Sequence, residues 1–328
     1  MPCKQEDYLP PDKRKTPKIS SDFIARRQPV RRSRVLSEFI SSQLALVSKE
    51  NIAKWISDLT SFHNRHTKSQ NIDKVARWLG NQLNQFGYND SASYHEYTEA
   101  GYELKNVICH KQGTSSKILL FCAHYDTILM RDFEDIESRA PGADDNASGV
   151  SVLLEISRII SKLDFEYSIR FAFFSGEEQG FWGSKQYAEY IKDKKEDLYA
   201  VVNLDMCAET GFLSTNNTTN IDIDDGTTGS AATNNEASQI LGQKMEQMAV
   251  DYTDMRVEYD PIAYSDYMPF EARGYVCIGA YDGSAIEENK HYHSDTDIPS
   301  NLNMDFLTSV TKMVLAFALS EARANSNP

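Results

Sequence analysis

Cysteine is scarce. Five stand in 328 residues, at Cys3, Cys109, Cys122, Cys207 and Cys277, and their scatter excludes a disulfide framework. No C-x-x-C pair occurs, so a thiolate zinc site of the finger type is excluded as well. Cys109, Cys122 and Cys277 sit in apolar, strand-like runs, where the residue acts as a small hydrophobe. No apolar run reaches the ~18 residues of a membrane helix, which excludes a helical membrane span. The first residues lack the apolar segment of a secretory signal. Two compartments stay open on this reading: the cytoplasm, or an export route with the signal segment absent from this chain. Positive charge is in deficit. Lys and Arg number 34 against 48 Asp and Glu, a net charge of −14 that speaks against nucleic acid as a partner. No internal repeat is present.

What is there is a globular composition, 41% hydrophobic and 11% aromatic. Residues 1–34 read as an extended, charged tail ("KQEDYLPPDKRKTPK", "RRQPVRRSR") without apolar periodicity. Residues 35–328 read as one domain. Helical spacing runs from Val35 to Phe62 and again from Asn71 to Phe86, where Gly87 ends it. Strand patterns follow: "SASYHEYTE", "LKNVICH", "KILLFCA", "SIRFAFF", "YAVVNL" and "YVCIGAY". Helical patterns over 147–163, 183–191, 236–250 and 304–322 separate the later ones. This alternation predicts an α/β fold: a single three-layer α/β/α domain with a mostly parallel or mixed central sheet. Residues 211–235, rich in Thr, Asn, Asp and Gly, read as a loop or short excursion.

The stretch "FFSGEEQG" (173–180) sets two glutamates side by side straight after an apolar run. Adjacent carboxylates repel, and a cation would offset that. In an open α/β sheet, ligands bind at the carboxyl ends of the strands. There the sequence places His124-Tyr125-Asp126, Glu177-Glu178 and Asp205, with His291-Tyr292-His293 in a late loop and Asp144-Asp145 ahead of a helix. Each alone has a bland explanation: a helix cap, a solvated helix start, a core histidine, a turn. Their coincidence on one edge does not. Histidine with carboxylates and no cysteine is the ligand set of a hydrolytic metal site. Two histidines with three or four carboxylates exceed one tetrahedral ion's needs and suit two ions ~3.5–4 Å apart. One glutamate of the pair would then ligate while its neighbour acts as general base. His291 rivals His293, because residues i and i+2 of an extended chain face the same side.

The motifs "HYD" (124–126), "PGADDNASGV" (141–150), "SGEEQGFWGS" (175–184), "NLDM" (203–206), "YSDYMPF" (264–270) and "YHSDTD" (292–297) occur in an order and spacing that resemble the zinc-dependent aminopeptidases of the bacterial leucyl aminopeptidase and aminopeptidase Y type. "LTSFHNRHTKSQ" (59–70) resembles the same family's opening helix and loop, so the resemblance covers about residues 50–325. It implies a phosphorylase/hydrolase-like zinc exopeptidase fold and two Zn2+ per chain. His124 and Asp205 would hold one ion, Glu178 and His293 the other, and Asp145 would bridge them. Glu177 would be the general base, and Tyr292 would polarise the scissile carbonyl. Asp126 and Asp297 would orient His124 and His293. The implied substrate is a peptide with a free N-terminus and an apolar first residue, and the implied location is secreted or periplasmic. Asp260 and Tyr264 stand where some members carry a cysteine pair, and Tyr267 where many have histidine, so the pocket for the first side chain differs here. The charged insert Arg131–Ala140 borders the cleft on this reading. Carboxypeptidases and glutaminyl cyclases share the fold, and so do non-enzymatic interaction domains, receptor ectodomains that typically lose ligands, none of which is lost here. The cyclases bind one zinc, and five ligands together with Glu177 weigh against that alternative.

Overall fold

Strands β3 (Ile118–His124) and β4 (Ser168–Phe174) are buried at every residue, which only a strand covered on both faces can be. Their side chains alternate. Leu119, Phe121, Ala123, Ile169, Phe171 and Phe173 pack into one apolar cluster, whereas Ile118, Leu120, Cys122, Ala172 and Phe174 pack into another on the opposite face. The computed structural model describes residues 33–89, 91–209, 215–228, 234–283 and 289–325. The expected tail lies outside the described residues except for its last two positions, and Cys3 lies outside with it.

The sheet has eight strands in the order β1-β2-β4-β3-β5-β8-β6-β7. Besides β3 and β4 these are β1 (Ala92–Glu99), β2 (Tyr102–Lys111), β5 (Leu198–Leu204), β6 (Thr218–Ile223), β7 (Arg256–Pro261) and β8 (Cys277–Tyr281). The centre, β4-β3-β5-β8, is parallel, while β2 and β6 join it antiparallel, so the sheet is mixed as expected. One face carries a thick helical layer: α1 (Arg34–Leu44), α2 (Lys49–Thr60), α3 (Asn71–Gln85), α4 (Gly149–Ile160), α6 (Asn235–Tyr252) and α8 (Met304–Glu321). The other face carries a thin one, α5 (Trp182–Lys194) and the single turn α7 (Met268–Glu271). The layers are therefore three, as the sequence predicts.

Two expectations change. The helical spacing from Val35 to Phe62 divides into α1 and α2, because Ser48 caps a new helix with its hydroxyl on the Asn51 N–H. The excursion at 211–235 contains β6, whose Ile221 and Ile223 are core residues while Asn220 and Asp222 point to the thin-layer face. Strand β7 pairs only with β6, at the sheet edge, and its sequence "RVEYDP" carries too much charge to read as a strand.

Candidate metal centre

Parity places the ligands. Along β3 the residues 118, 120 and 122 face the thin layer, and His124 ends that row. Along β5 the thin-layer row is Val201 and Asn203, which Asp205 follows just past the strand. His124 Nε2 lies 3.1 Å from Asp205 Oδ1 and 3.1 Å from Asp145 Oδ1. The other oxygen of Asp145 lies 2.9 Å from His293 Nε2, and His293 Nε2 lies 3.0 Å from Glu178 Oε2. Asp145 thus touches both histidines, one through each oxygen. Ligand atoms of His124, Asp145 and Glu178 all lie within 4.8 Å of one another. His291 stands apart, with its Nδ1 against Thr296 Oγ1 at 2.9 Å.

A short irregular turn, Ala143–Ser148, presents Asp145. Asp297 holds it: its carboxylate accepts the N–H groups of Asp144 (2.9 Å) and Asp145 (3.1 Å). This is a different task from the expected one, orienting His293, whose Nδ1 is buried without a hydrogen-bond partner. The neighbouring Asp144 accepts the Ala208 N–H at 2.8 Å instead. Asp126 also differs in detail from expectation. The His124 Nδ1 contact goes to its main-chain oxygen at 3.3 Å, with the carboxylate at 3.6 Å. That carboxylate accepts the N–H groups of Glu177 (3.2 Å) and Glu178 (3.3 Å) and the Thr67 hydroxyl (2.8 Å). It therefore fixes the main chain of the glutamate pair.

Sequence reasoning gave no role to Arg65. It is fully buried and donates to the carbonyls of Tyr125 (2.9 Å), Gly142 (2.8 Å), Leu59 (3.3 Å) and Pro141. Two of the ligand-bearing loops, 124–127 and 141–146, are tied together through this one guanidinium. Ser265 was likewise unassigned. Its hydroxyl donates to Asp205 Oδ2 at 2.6 Å and accepts from Asn203 Nδ2 at 2.7 Å. Both residues lie inside quoted motifs, but their types are too common to signal a role without contacts.

The electrostatics show crowding. Burial alone would lower the His124 imidazole, yet Asp205 and the contacts to Asp126 and Asp145 push it well above its ordinary value. His293 is pushed up to about 10, with Glu178 and Asp145 overcoming burial. Burial raises Glu178 to about 7 and raises Glu177 well above the carboxylate range, with Asp205 and Asp266 adding repulsion. Asp145 goes the other way, because both histidines outweigh its burial. Burial lowers Arg65 to about 10, opposed by Asp297, Asp145, Asp126 and Glu178. Glu178 Oε1 is a buried acceptor without a partner. Two imidazoles packed against three carboxylates, with a carboxylate oxygen orphaned among them, are a donor set that divalent zinc satisfies. The site residues therefore fit a metal ion. Tyr292 stacks on the His293 ring, centroids 3.7 Å apart, and burial with Asp145, Glu178 and Glu177 pushes its phenol well up.

The profile of peptidase family M28 matches residues 106–318. A probable leucine aminopeptidase of Arthroderma otae is 27% identical over 293 residues, covering 86% of this chain and 74% of that protein. The crystal structure of the LapA aminopeptidase of Legionella pneumophila superposes with a TM-score of 0.74 at 23% identity, over 87% of this chain and 74% of that one. The glutaminyl cyclase of Bacteroides thetaiotaomicron gives 0.66 at 19% identity, over 84% of this chain and 98% of that one. These structures share the fold.

Proposed function

The chain belongs to peptidase family M28, and we propose that it is a zinc aminopeptidase that removes the N-terminal residue of peptides with a pair of metal ions. The observation that carries this reading is the reach of Asp145 to both His124 and His293, at 3.1 and 2.9 Å, with Asp205 and Glu178 beside them. His124 and Asp205 would hold one zinc, Glu178 and His293 the other, and Asp145 both. Zinc in such a set supplies Lewis acidity toward a carbonyl and lowers the pKa of water.

The chain's own residues do the rest. Glu177 is 8% exposed and not in contact with either histidine's nitrogen, so it stays available as a base. Its main chain is fixed by Asp126, and burial with repulsion from Glu178 and Asp205 raises its carboxyl, the direction that suits a group which takes a proton and returns it to the leaving amine. The Tyr292 phenol, held protonated by burial and by the surrounding carboxylates, donates to the oxygen on which negative charge develops. The acids around the site favour a substrate ammonium. A carboxypeptidase would need a cation to clamp a terminal carboxylate, and of the arginines near the motifs Arg139 donates to the Asp295 carbonyl, Arg273 pairs with Glu189 and Arg170 with Glu196, while Arg256 opens the edge strand β7, exposed.

The test is a panel of aminoacyl chromogenic amides, including leucine and lysine, their N-acetylated forms, and peptides blocked at either end, assayed with zinc present. Release of the free-amine residue, with loss of turnover on acetylation, is the expected result. Cleavage from the C-terminus, or equal turnover of acetylated compounds, would overturn the aminopeptidase reading.

A further inference from the structure

The sheet face that bears Asp205 continues outward in acids that the chemistry above does not use. Register aligns Asn203 of β5 with Gly279 of β8, Gly279 with Asp222 of β6, and Asp222 with Asp260 of β7. The adjoining row runs Tyr281, Asn220, Glu258. Both rows face the thin helical layer, because Ile221, Ile223, Ile278 and Ala280 between them belong to the core on the other side. Two strand steps at ~4.8 Å separate β5 from β6, so the acids stand on the order of 10 Å to the side of Asp205. Gly279 makes room for them: a Cβ there would lie 2.8 Å from both Asp222 Oδ2 and a Tyr267 ring carbon.

Among the described residues this cluster is short of donors. Asp222 takes one bond from the Tyr267 hydroxyl at 2.8 Å, and Asp260 takes one from Asn220 Nδ2. Asn220 is 3% exposed, and its Oδ1 is buried without a partner, an acceptor beside two carboxylates. The charges acting here are of one sign: Asp260 and Asp205 on Asp222, Glu258 on Asp260. Burial with these neighbours pushes Asp222 up to about 8. Asp222 and Asp260 are half-buried residues, unlike Asn220 beside them. A buried polar group without a partner costs roughly 1–3 kcal/mol, and here three acceptor groups, two carboxylates and an amide oxygen, share two donor groups.

We propose that Asp222, Asp260 and Asn220 seat the positively charged side chain of the substrate's first residue, so that the enzyme favours N-terminal lysine and arginine over apolar residues. The proposal rests on the aminopeptidase reading and departs from the apolar preference that the family resemblance implies. An ammonium brings three donors and a guanidinium five, which meets the deficit and neutralises the excess charge. Aliphatic stems of either residue suit the lateral span from the metal centre to the acids.

The experiment compares lysyl, arginyl, leucyl and norleucyl amides of one chromogenic amine on the zinc-loaded full chain. Norleucine keeps the lysine stem and lacks the ammonium. kcat/KM for lysine and arginine is expected to exceed that for norleucine by about tenfold or more, the scale of a desolvated polar site that loses its partner. In Asp222→Asn and Asp260→Asn the lysine-to-norleucine ratio should fall by about tenfold, with thermal melting and zinc content showing that the variants fold. If norleucine or leucine is turned over as fast as lysine by the wild-type chain, the proposal is overturned while the aminopeptidase reading stands. If the ratio is unmoved in both folded variants, these residues are not the seat. If zinc is bound and no free-amine amide is cleaved, the aminopeptidase reading falls and this proposal with it. Should a variant not fold, the wild-type comparison of lysine with norleucine still decides.

Discussion

Glu177 and Glu178 are adjacent in the chain and opposite in task. Glu178 Oε2 reaches His293 Nε2 at 3.0 Å, whereas Glu177 is held through its main chain by Asp126 with its carboxyl elsewhere. Glu177→Gln keeps the shape and cannot take a proton. It is expected to keep its zinc and lose roughly 10²–10⁴ in kcat. Glu178→Gln is expected to lose zinc affinity instead, so metal analysis of the two purified variants separates them, and equal metal loss would refute the division. Arg65 poses a different question at the same scale. Its guanidinium holds carbonyls of three segments and offsets the charge of Asp297, Asp145 and Asp126. Arg65→Met would take from those groups a buried donor and counter-charge, at a cost of about 3–5 kcal/mol. Arg65→Lys should not rescue it, because an ammonium cannot span the fork. Denaturant unfolding of both variants measures this, and a loss below about 1 kcal/mol would show that the loops hold without the guanidinium.

The turn 141–148 is the element on which the site depends. Gly142 has φ of 52°, a conformation that favours glycine, and a side chain there would collide with the Asp145 carbonyl and the Thr127 methyl. Gly142→Ala is therefore expected to cost roughly 1–3 kcal/mol and to move Asp145 from its position between the histidines. Zinc content should fall with it. An alanine variant with the wild-type melting curve and full zinc would mean that the turn tolerates rearrangement. The stability of this turn comes from outside itself: Asp297 from a late loop, Arg65 from the first, and Leu204, whose carbonyl accepts the Asn146 amide at 2.8 Å.

For the whole molecule the acids set a pH dependence. Without metal, Glu178, Asp266 and Asp297 stand raised to about 7 and Asp222 to about 8, all chiefly through burial. A group whose folded pKa is raised binds its proton more tightly in the folded state. Its stabilising effect is present at low pH and is lost as pH rises toward the raised value. His293, raised to about 10, acts with the same sign over a higher range. Asp145 is lowered, and its opposite contribution falls below about pH 4. The melting temperature of the chelator-stripped protein should therefore drop between about pH 5 and 8. Zinc should raise it more at pH 8 than at pH 5, because metal and protons compete for the same oxygens. At a thousandfold excess over Kd the gain is about 4 kcal/mol. Calorimetry across this range checks it, and a stripped protein that gains stability toward pH 8 would contradict the buried acids' sign.

The sequence by itself determined the layers and the ligand-bearing edge. Doubly buried strands are continuous apolar runs, and a polar residue that breaks such a run stands at its mouth; His124, Glu177, Glu178 and Asp205 were legible for that reason. It also narrowed the last ligand to His291 or His293, since local spacing brings both to one side. The family resemblance pointed to His293, and the tertiary structure sets its Nε2 against oxygens of Asp145 and Glu178, more than a hundred residues away in the chain. Only the tertiary structure decided the partners of Asp297, Asp126 and Arg65. Asp126 and Asp297 were expected to orient the histidines, but the N–H groups they accept and the carbonyls Arg65 holds are main-chain groups, which every residue carries, so no side-chain pattern announces those partners. Strands β6 and β7 escaped for a related reason. Their acids look like loop residues until the register of β5, β8, β6 and β7 lines them up on one face, where charge repulsion that a loop would relieve in water is held in place by the sheet.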